Sequence, residues 1–354
     1  MSEELQRRRI RIDAIDDELL CLVSERAAHA AAIGGLKHGA VYRPEREAQI
    51  LNRLRAKNPG PLSGDTVARL FREIMSACLA LEQPLKVAYL GPEGTFSHAA
   101  AVKHFGHAAE TMSSASIEEV FHRIEAGGVT YGVVPVENSS GGAVGVTLDL
   151  LVQSPLQICG EVNLRVHQCL LRKQDSLDGV RRLYSHAQSL AQCREWLNSH
   201  LPGAERISVV SNAEAARLAT EDADGAAIAG EIAGERYDLR TVARNIEDQP
   251  NNTTRFLVMG TSDAAPSGRD KTSLAMSAEN RPGTVYTLLE PLAQHQVSMT
   301  RMESRPARTG LWEYVFFIDI AGHRQDEKVA QALAELKGKA SFLRILGSYP
   351  VAAL

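Results

Sequence analysis

Between Leu5 and Ile33 the apolar side chains Leu5, Ile12, Ile15, Leu19, Leu22 and Ile33 recur at helical spacing, with charged residues filling the other faces. The pattern predicts one amphipathic helix of about 30 residues, closing near Gly34–Gly35 or a little beyond. A second helix is expected from Pro44, carrying Ile50, Leu51 and Leu54. A third, capped by Ser63, carries Val67, Leu70, Phe71, Ile74 and Leu81 and stops at Pro84. Three helices of which one is so long cannot close into a compact monomer. The long helix of this all-α segment, residues 1–84, is expected to bury its stripe against a second copy.

From Lys86 the period changes. Short apolar runs (KVAYLG, YGVVPV, RRLYSH, GAAIAG, RFLVMG) alternate with helical stretches, one of which opens with a capping box at Ser116 and Glu119. Alternating β and α predicts an α/β domain over residues 85–262 with a mainly parallel sheet. SDAAPSGRDK, at 262–271, has the composition of a linker. Residues 272–354 then read strand, helix from Pro282, strand, strand, helix, strand, which is the βαββαβ order of a ferredoxin-like sandwich.

The totals exclude several classes of function. A chain of 354 residues implies two or three domains. A formal charge of −4 argues against a nucleic-acid or anionic-membrane partner. No apolar run reaches the roughly 18 residues of a membrane span, and MSEELQRRRIRID lacks the apolar core of a secretion signal. Five scattered cysteines without a CxxC fit reduced thiols, so a cytoplasmic location is expected. No cluster has metal-ligand spacing, and HFGH at 104–107 reads as a solvated helix end. Neither a metal nor a cofactor is expected.

On the first helix, Arg26 and Lys37 are eleven positions apart, about 20° of rotation, and so face the same way. Arg9 precedes Arg26 by seventeen positions, about 25 Å along the axis and roughly 100° around it. One small ligand cannot touch both on one helix, so a shared role would need Arg9 from a partner chain. Solvated cations with snorkelled stems would look the same. The stretches RIDAIDDELLCLVSERAAHAAAIGGLK, YRPERE and RLFREIMSACLALEQ resemble the all-helical chorismate mutase family, whose three helices form an intertwined dimer. The resemblance implies that Arg9 reaches the site from the partner, that Arg26 and Arg46 hold the carboxylates of chorismate, and that Lys37 and Glu82 straddle the ether oxygen. Glu47 would meet the ring hydroxyl, Cys78 would form pocket wall, and Arg43 would be surface. A carboxyl donates only when protonated, so mutase activity is expected to fall as rising pH deprotonates Glu82.

In the middle segment GPEGTFSH, VENSSGGAV and YSHAQSLAQ each lead from a strand into a helix, where backbone N–H groups can meet an anion. With no GxGxxG and no GxxxxGK[ST], the three favour a small anion over a nucleotide. NNTTRF at 251–256 adds hydroxyls, amides and a fixed cation at a strand's mouth: the floor of an anion pocket, or a polar strand entry with a surface arginine. Together these motifs resemble prephenate dehydratase over residues 86 to about 262. That family has two α/β lobes like the type II periplasmic binding proteins, with the site in the cleft. The resemblance implies an essential Thr254, carboxylate binding by Arg255, and orientation by Asn138, Ser139, Gln188 and the turn around Thr95, Phe96 and Ser97, with Phe256 nearby. Glu137 and His186 are the titratable candidates for proton donor, and His186 reads equally as a satisfied strand-end histidine.

ENRPG at 279–283 and MESRP at 302–306, in order on a βαββαβ frame, resemble the ACT regulatory domain attached to prephenate dehydratases. The resemblance implies phenylalanine bound between paired domains by Asn280, Arg281, Pro282, Gly283, Thr284 and Val285, with Glu303, Ser304, Arg305 and Pro306. All three resemblances imply one route: chorismate to prephenate to phenylpyruvate, with phenylalanine feedback, in a homodimer or dimer of dimers. A sensor that has lost catalysis is one rival. A tyrosine-branch enzyme is the other, and it would need a nicotinamide-binding glycine fingerprint that the sequence lacks.

Overall fold

A computed structural model describes residues 3–36, 42–279, 281–307 and 314–352. Lys37 and Asn280 fall outside the described residues. The helical segment is α1 (Glu3–Leu36), α2 (Pro44–Lys57) and α3 (Gly64–Glu82). Ser63 caps α3 as expected, its Oγ accepting from Thr66 N at 3.1 Å. Along α1 the apolar stripe lies bare, with Leu20 67% and Leu22 62% exposed.

Two α/β lobes follow. The first comprises β1 (Lys86–Leu90), α4 (Phe96–Phe105), β2 (Glu110–Ser114), α5 (Ile117–Glu125), β3 (Tyr131–Asn138), β4 (Gly142–Ala143), α6 (Gly145–Gln153) and β5 (Gln157–Arg165). The second comprises β6 (Cys169–Arg172), β7 (Arg182–His186), α7 (Ala187–Gln192), α8 (Arg194–His200), β8 (Glu205–Val209), α9 (Asn212–Glu221), β9 (Gly225–Ala229), α10 (Glu231–Tyr237) and β10 (Arg240–Ala243). The chain then returns to the first lobe as β11 (Thr253–Gly260), inserted between β3 and β5. The first sheet runs β2-β1-β3-β11-β5 and the second β10-β6-β9-β7-β8. Neither is mainly parallel: β11 is antiparallel to both neighbours, and β6 to both of its own.

The last unit is β12 (Asp270–Ser277), α11 (Thr284–Gln294), β13 (Met299–Pro306), β14 (Tyr314–Ala321), α12 (Glu327–Lys339) and β15 (Phe342–Pro350), an antiparallel sheet in the order β13-β14-β12-β15. Its outer face is not solvated. Ala275, Phe317, Leu346 and Tyr349 join Val134, Val136, Leu257 and Met259 of the first lobe in one hydrophobic cluster. The approach is close enough that a Cβ on Gly347 would sit 2.1 Å from the Ile158 carbonyl oxygen.

The helical segment packs on the other face of the same sheet, through α4. Arg72 Nη1 donates to the Lys103 carbonyl at 2.9 Å, and His107 N to Glu73 Oε2 at 3.1 Å. Gly106 takes φ +75°, and a Cβ there would be 2.5 Å from Ser76 Cβ. HFGH is thus only half solvated: His107 is exposed, while His104 lies inside the junction with Nε2 3.0 Å from Tyr42 Oη. Burial raises the Tyr42 hydroxyl well above its ordinary value, so it donates to a neutral imidazole. Burial, with Arg72 adding to it, pushes His104 down to about 3.

The folded pKa lies below the unfolded value of about 6.5, so between them the unfolded chain takes a proton that the junction refuses. This contribution to stability is present above about pH 6.5 and lost as pH falls toward 3. Urea unfolding of the wild type and of His104→Gln between pH 5 and 8 should diverge only below about 6.5, by up to about 1.4 kcal/mol per pH unit. Parallel curves would mean that the ring is hydrated in solution.

Candidate active sites

Three cavities hold most of the expected residues. The first, about 500 Å³, lies in the helical segment and is lined by Arg26, Arg46, Glu47, Cys78 and Glu82. Arg43, exposed as expected, also borders it, and Phe105 from the end of α4 closes one wall. Arg26 Nη1 is buried without a hydrogen-bond partner among the described residues. An unpaired buried guanidinium donor costs about 1–3 kcal/mol or more, a cost that an anionic ligand removes. Glu47 is held by Arg72, whose Nε donates to Oε1 at 3.0 Å. Burial pushes the Glu47 carboxyl up, against the pull of that guanidinium. Arg9 does not line the cavity; on α1 it lies about 25 Å along the axis from Arg26.

The second cavity, about 280 Å³, lies between the two α/β lobes. Thr95, Phe96, Ser97, Asn138 and Thr254 reach it from the first lobe, His186 and Gln188 from the second. Thr95 caps α4, its Oγ1 accepting from His98 N at 3.4 Å. VENSSGGAV opens no helix directly: it folds as the β3–β4 hairpin, and α6 begins only at Gly145. Within that hairpin Asn138 Oδ1 accepts from Ser140 N at 3.0 Å and Gly141 N at 2.9 Å. Those two bonds fix the amide, so Nδ2 must point across the ladder, where it donates to Thr254 Oγ1 at 2.8 Å. With its lone pair so engaged, the Thr254 hydroxyl is left to donate into the cleft.

Four expected residues face elsewhere. Side chains alternate along a strand, and the neighbours of Thr254 and Asn138 therefore turn away from the cleft. Arg255 donates to Glu161 at 2.9 Å and to Asp319 at 2.5 Å on the side of the sheet that faces the C-terminal unit, so it cannot grip a ligand beside Thr254. Glu137 is ion-paired with Arg301 at 2.6 Å, which removes it as a proton donor to the cleft. Phe256 is 1% exposed in the core against Tyr89 and Phe105. Ser139 props the loop behind, accepting from Thr253 N at 3.0 Å.

The third cavity, about 220 Å³, is lined by Arg281, Gly283, Thr284, Val285 and Tyr286 with Tyr314 and Phe316. Pro282 lies within that turn, between Arg281 and Gly283, but does not line the cavity. Glu303, Ser304, Arg305 and Pro306 lie on β13, the edge strand, and do not line it either. Arg305 is held instead by Asp149 of α6, Nε to Oδ1 at 3.2 Å.

Residues 8–83 match the family model for type II chorismate mutase, 87–264 that for prephenate dehydratase and 272–338 that for the ACT domain. A bifunctional chorismate mutase/prephenate dehydratase of Neisseria gonorrhoeae is 58% identical over 347 residues, covering 97% of this chain and 96% of that protein. The chain belongs to the bifunctional chorismate mutase/prephenate dehydratase family. Among solved structures, a prephenate dehydratase from Arthrobacter aurescens in complex with L-Phe is similar at 33% identity and TM-score 0.68, over 75% of this chain and 90% of its own. A structure described as a novel type of quorum quenching acylase is similar at 30% identity and TM-score 0.70, over 75% of this chain and 98% of its own.

The interlobe cleft also contains Asn252, an amide of NNTTRF not given a role of its own, and residues outside the motifs. Asn252 is 3% exposed; its Oδ1 accepts from Asn138 Nδ2 at 2.8 Å, while its Nδ2 is buried without a partner among the described residues. Asn212 fixes the His186 turn by accepting from His186 N at 3.0 Å. Its signal was the Ser211–Glu214 box that starts α9, where Glu214 N donates to Ser211 Oγ at 3.0 Å. Gln168, 1% exposed, also lines the cleft with Oε1 unpaired, and nothing in its local sequence marks it. Among the described residues no helix is long and apolar enough to cross a membrane, and no group of three or more His, Cys, Asp or Glu could hold a metal ion.

Proposed function

We propose that the chain rearranges chorismate to prephenate in its helical cavity and converts prephenate to phenylpyruvate in the interlobe cleft, with phenylalanine as feedback ligand of the C-terminal domain. One observation carries the reading: a single chain of this family holds two separate polar cavities, each with an orphaned buried donor suited to a carboxylate or hydroxyl.

In the mutase cavity Arg26 and Arg46 take the two carboxylates, Glu47 accepts from the ring hydroxyl, and Glu82 donates to the ether oxygen when protonated. Lys37 is assigned to the same oxygen. The rearrangement needs no nucleophile, only a dianion held in its reactive conformer and stabilisation of charge growing on one oxygen. Arg9 completes the site from a second copy, whose α1 covers the bare stripe.

In the cleft, aromatisation drives loss of carbon dioxide and hydroxide from prephenate. Threonine is too weak an acid to protonate the leaving group outright, so Thr254 donates a hydrogen bond to it, oriented by Asn138. Asn252 and the turn at Thr95–Ser97 take the side-chain carboxylate, and with Glu137 turned away His186 is the proton donor. Phenylalanine occupies the pocket at Arg281–Tyr286, with the edge strand Glu303–Pro306 completing it against a second copy.

Given chorismate and no cofactor, the purified protein should form prephenate and then phenylpyruvate, and phenylalanine should suppress the second product. Absence of both products would sink the reading in favour of a sensor. Thr254→Val should lower dehydratase kcat by about 10²–10³-fold while mutase turnover is retained. Mixing inactive Arg9→Ala and Arg26→Ala chains should restore roughly a quarter of mutase activity if sites are shared across a two-fold dimer. No recovery would assign Arg9 another role.

A further inference from the structure

The ladder between β11 and β3 is interrupted between Arg255 and Phe256; beyond the irregularity stand only two residue pairs, Arg255 with Glu137 and Thr254 with Asn138. Opposite residues of an antiparallel pair share a face and successive ones alternate. Thr254 and Asn138 face the cleft, so Arg255 and Glu137 share the back. There the regulatory sheet presents a cross-strand pair of its own, Arg301 on β13 and Asp319 on β14.

The two pairs meet in complementary charge. Arg301 Nε donates to Glu137 Oε2 at 2.6 Å, and Arg255 Nη1 to Asp319 Oδ2 at 2.5 Å. Arg255 also donates to Tyr349 Oη at 2.8 Å, and Ser273 Oγ to Asp319 Oδ1 at 2.5 Å. Both arginine side chains are only 12% exposed. The Arg255–Asp319 pair is shielded on both sides, while Glu137 is 38% exposed; charge-assisted bonds of this kind are short and directional. β14, which carries Asp319, also supplies Tyr314 and Phe316 to the regulatory pocket. Phe316 lies three residues from Asp319, about 10 Å along the strand.

We infer that Glu137 and Arg255 are positioning residues of the dehydratase, gripped from behind by Arg301 and Asp319 so that Asn138 and Thr254 stay aligned in the cleft. The inference rests on the dehydratase reading given above. Past the irregularity only two residue pairs join the tips of β11 and β3 to each other, their outer edges being held by β5 and β4, and a shift of 1 Å between them can cost on the order of 10²-fold in rate. A ligand in the regulatory pocket reaches the cleft by this route when it binds better to an arrangement of β13 and β14 in which the grip is loosened.

The experiment uses the full chain with prephenate as substrate, and its mutase activity reports on folding. Arg301→Gln and Glu137→Gln should each lower dehydratase kcat by about 10-fold, leave KM within about 2-fold, and raise the phenylalanine concentration for half-inhibition by about 5-fold. Mutase turnover should not change. Arg301→Lys, which keeps the cation, should retain more than half of the turnover. Dehydratase kcat and phenylalanine inhibition within about 2-fold of wild type in both glutamine variants would overturn the inference alone. So would equal losses of both activities that lysine does not restore. Failure of the wild type to turn over prephenate would overturn the dehydratase reading, and this inference with it.

Discussion

Neighbours on an extended strand cannot face the same way, and at the tip of β11 this rule divides Thr254 from Arg255. One belongs to the cleft and the other to the sheet stacked behind it. Because β11 is the returning strand between β3 and β5, its tip is also where the chain re-enters the first lobe. Cleft lining, lobe crossing and the contact with the C-terminal sheet therefore meet within a few residues. The two sheets share one hydrophobic cluster, and the ion pairs Arg255–Asp319 and Arg301–Glu137 bridge them.

A comparable economy appears in α4. Its first turn, from the Thr95 cap through Ser97, lines the cleft, while Phe105 at its last turn walls the cavity of the helical segment. Ten residues of helix span about 15 Å, so two chemically unrelated pockets stand on one short rod. The neutral Tyr42–His104 contact and the Arg72 bond to the Lys103 carbonyl fix that rod to the helical segment. The cavity of the helical segment is thus not walled by that segment alone, whereas the interlobe cleft draws all its lining from the two α/β lobes.

Much of this was legible beforehand, for reasons that particular residues make plain. The Ser63 cap, the Pro44 start and the βαββαβ order follow from local signals that tertiary packing does not override. The Ser116 box formed with a small change, Glu119 reaching Ala115 N rather than the cap's own amide. Arg255 was misplaced because its charge suggested a ligand, whereas the period-2 rule applied from Thr254 onward would have turned it away. His104 misled for the opposite reason: a polar helix end looks solvated until another domain is laid over it. Asn252 stood among the amides of NNTTRF without a role of its own, whereas Gln168 became visible only when strands distant in sequence brought an unpaired amide to a cavity wall.

Gly347 carries a practical corollary. Its backbone lies so close to Ile158 that the regulatory sheet has no room for even a methyl group there, and the two units share a continuous apolar core. Cutting the chain after the dehydratase segment would strip cover from Val134, Leu257 and Met259 and leave a sticky face. A feedback-resistant form for overproducing strains is therefore better sought by single substitutions in the regulatory pocket than by truncation. The sensor and the catalyst are a single folded body and cannot be parted by scissors.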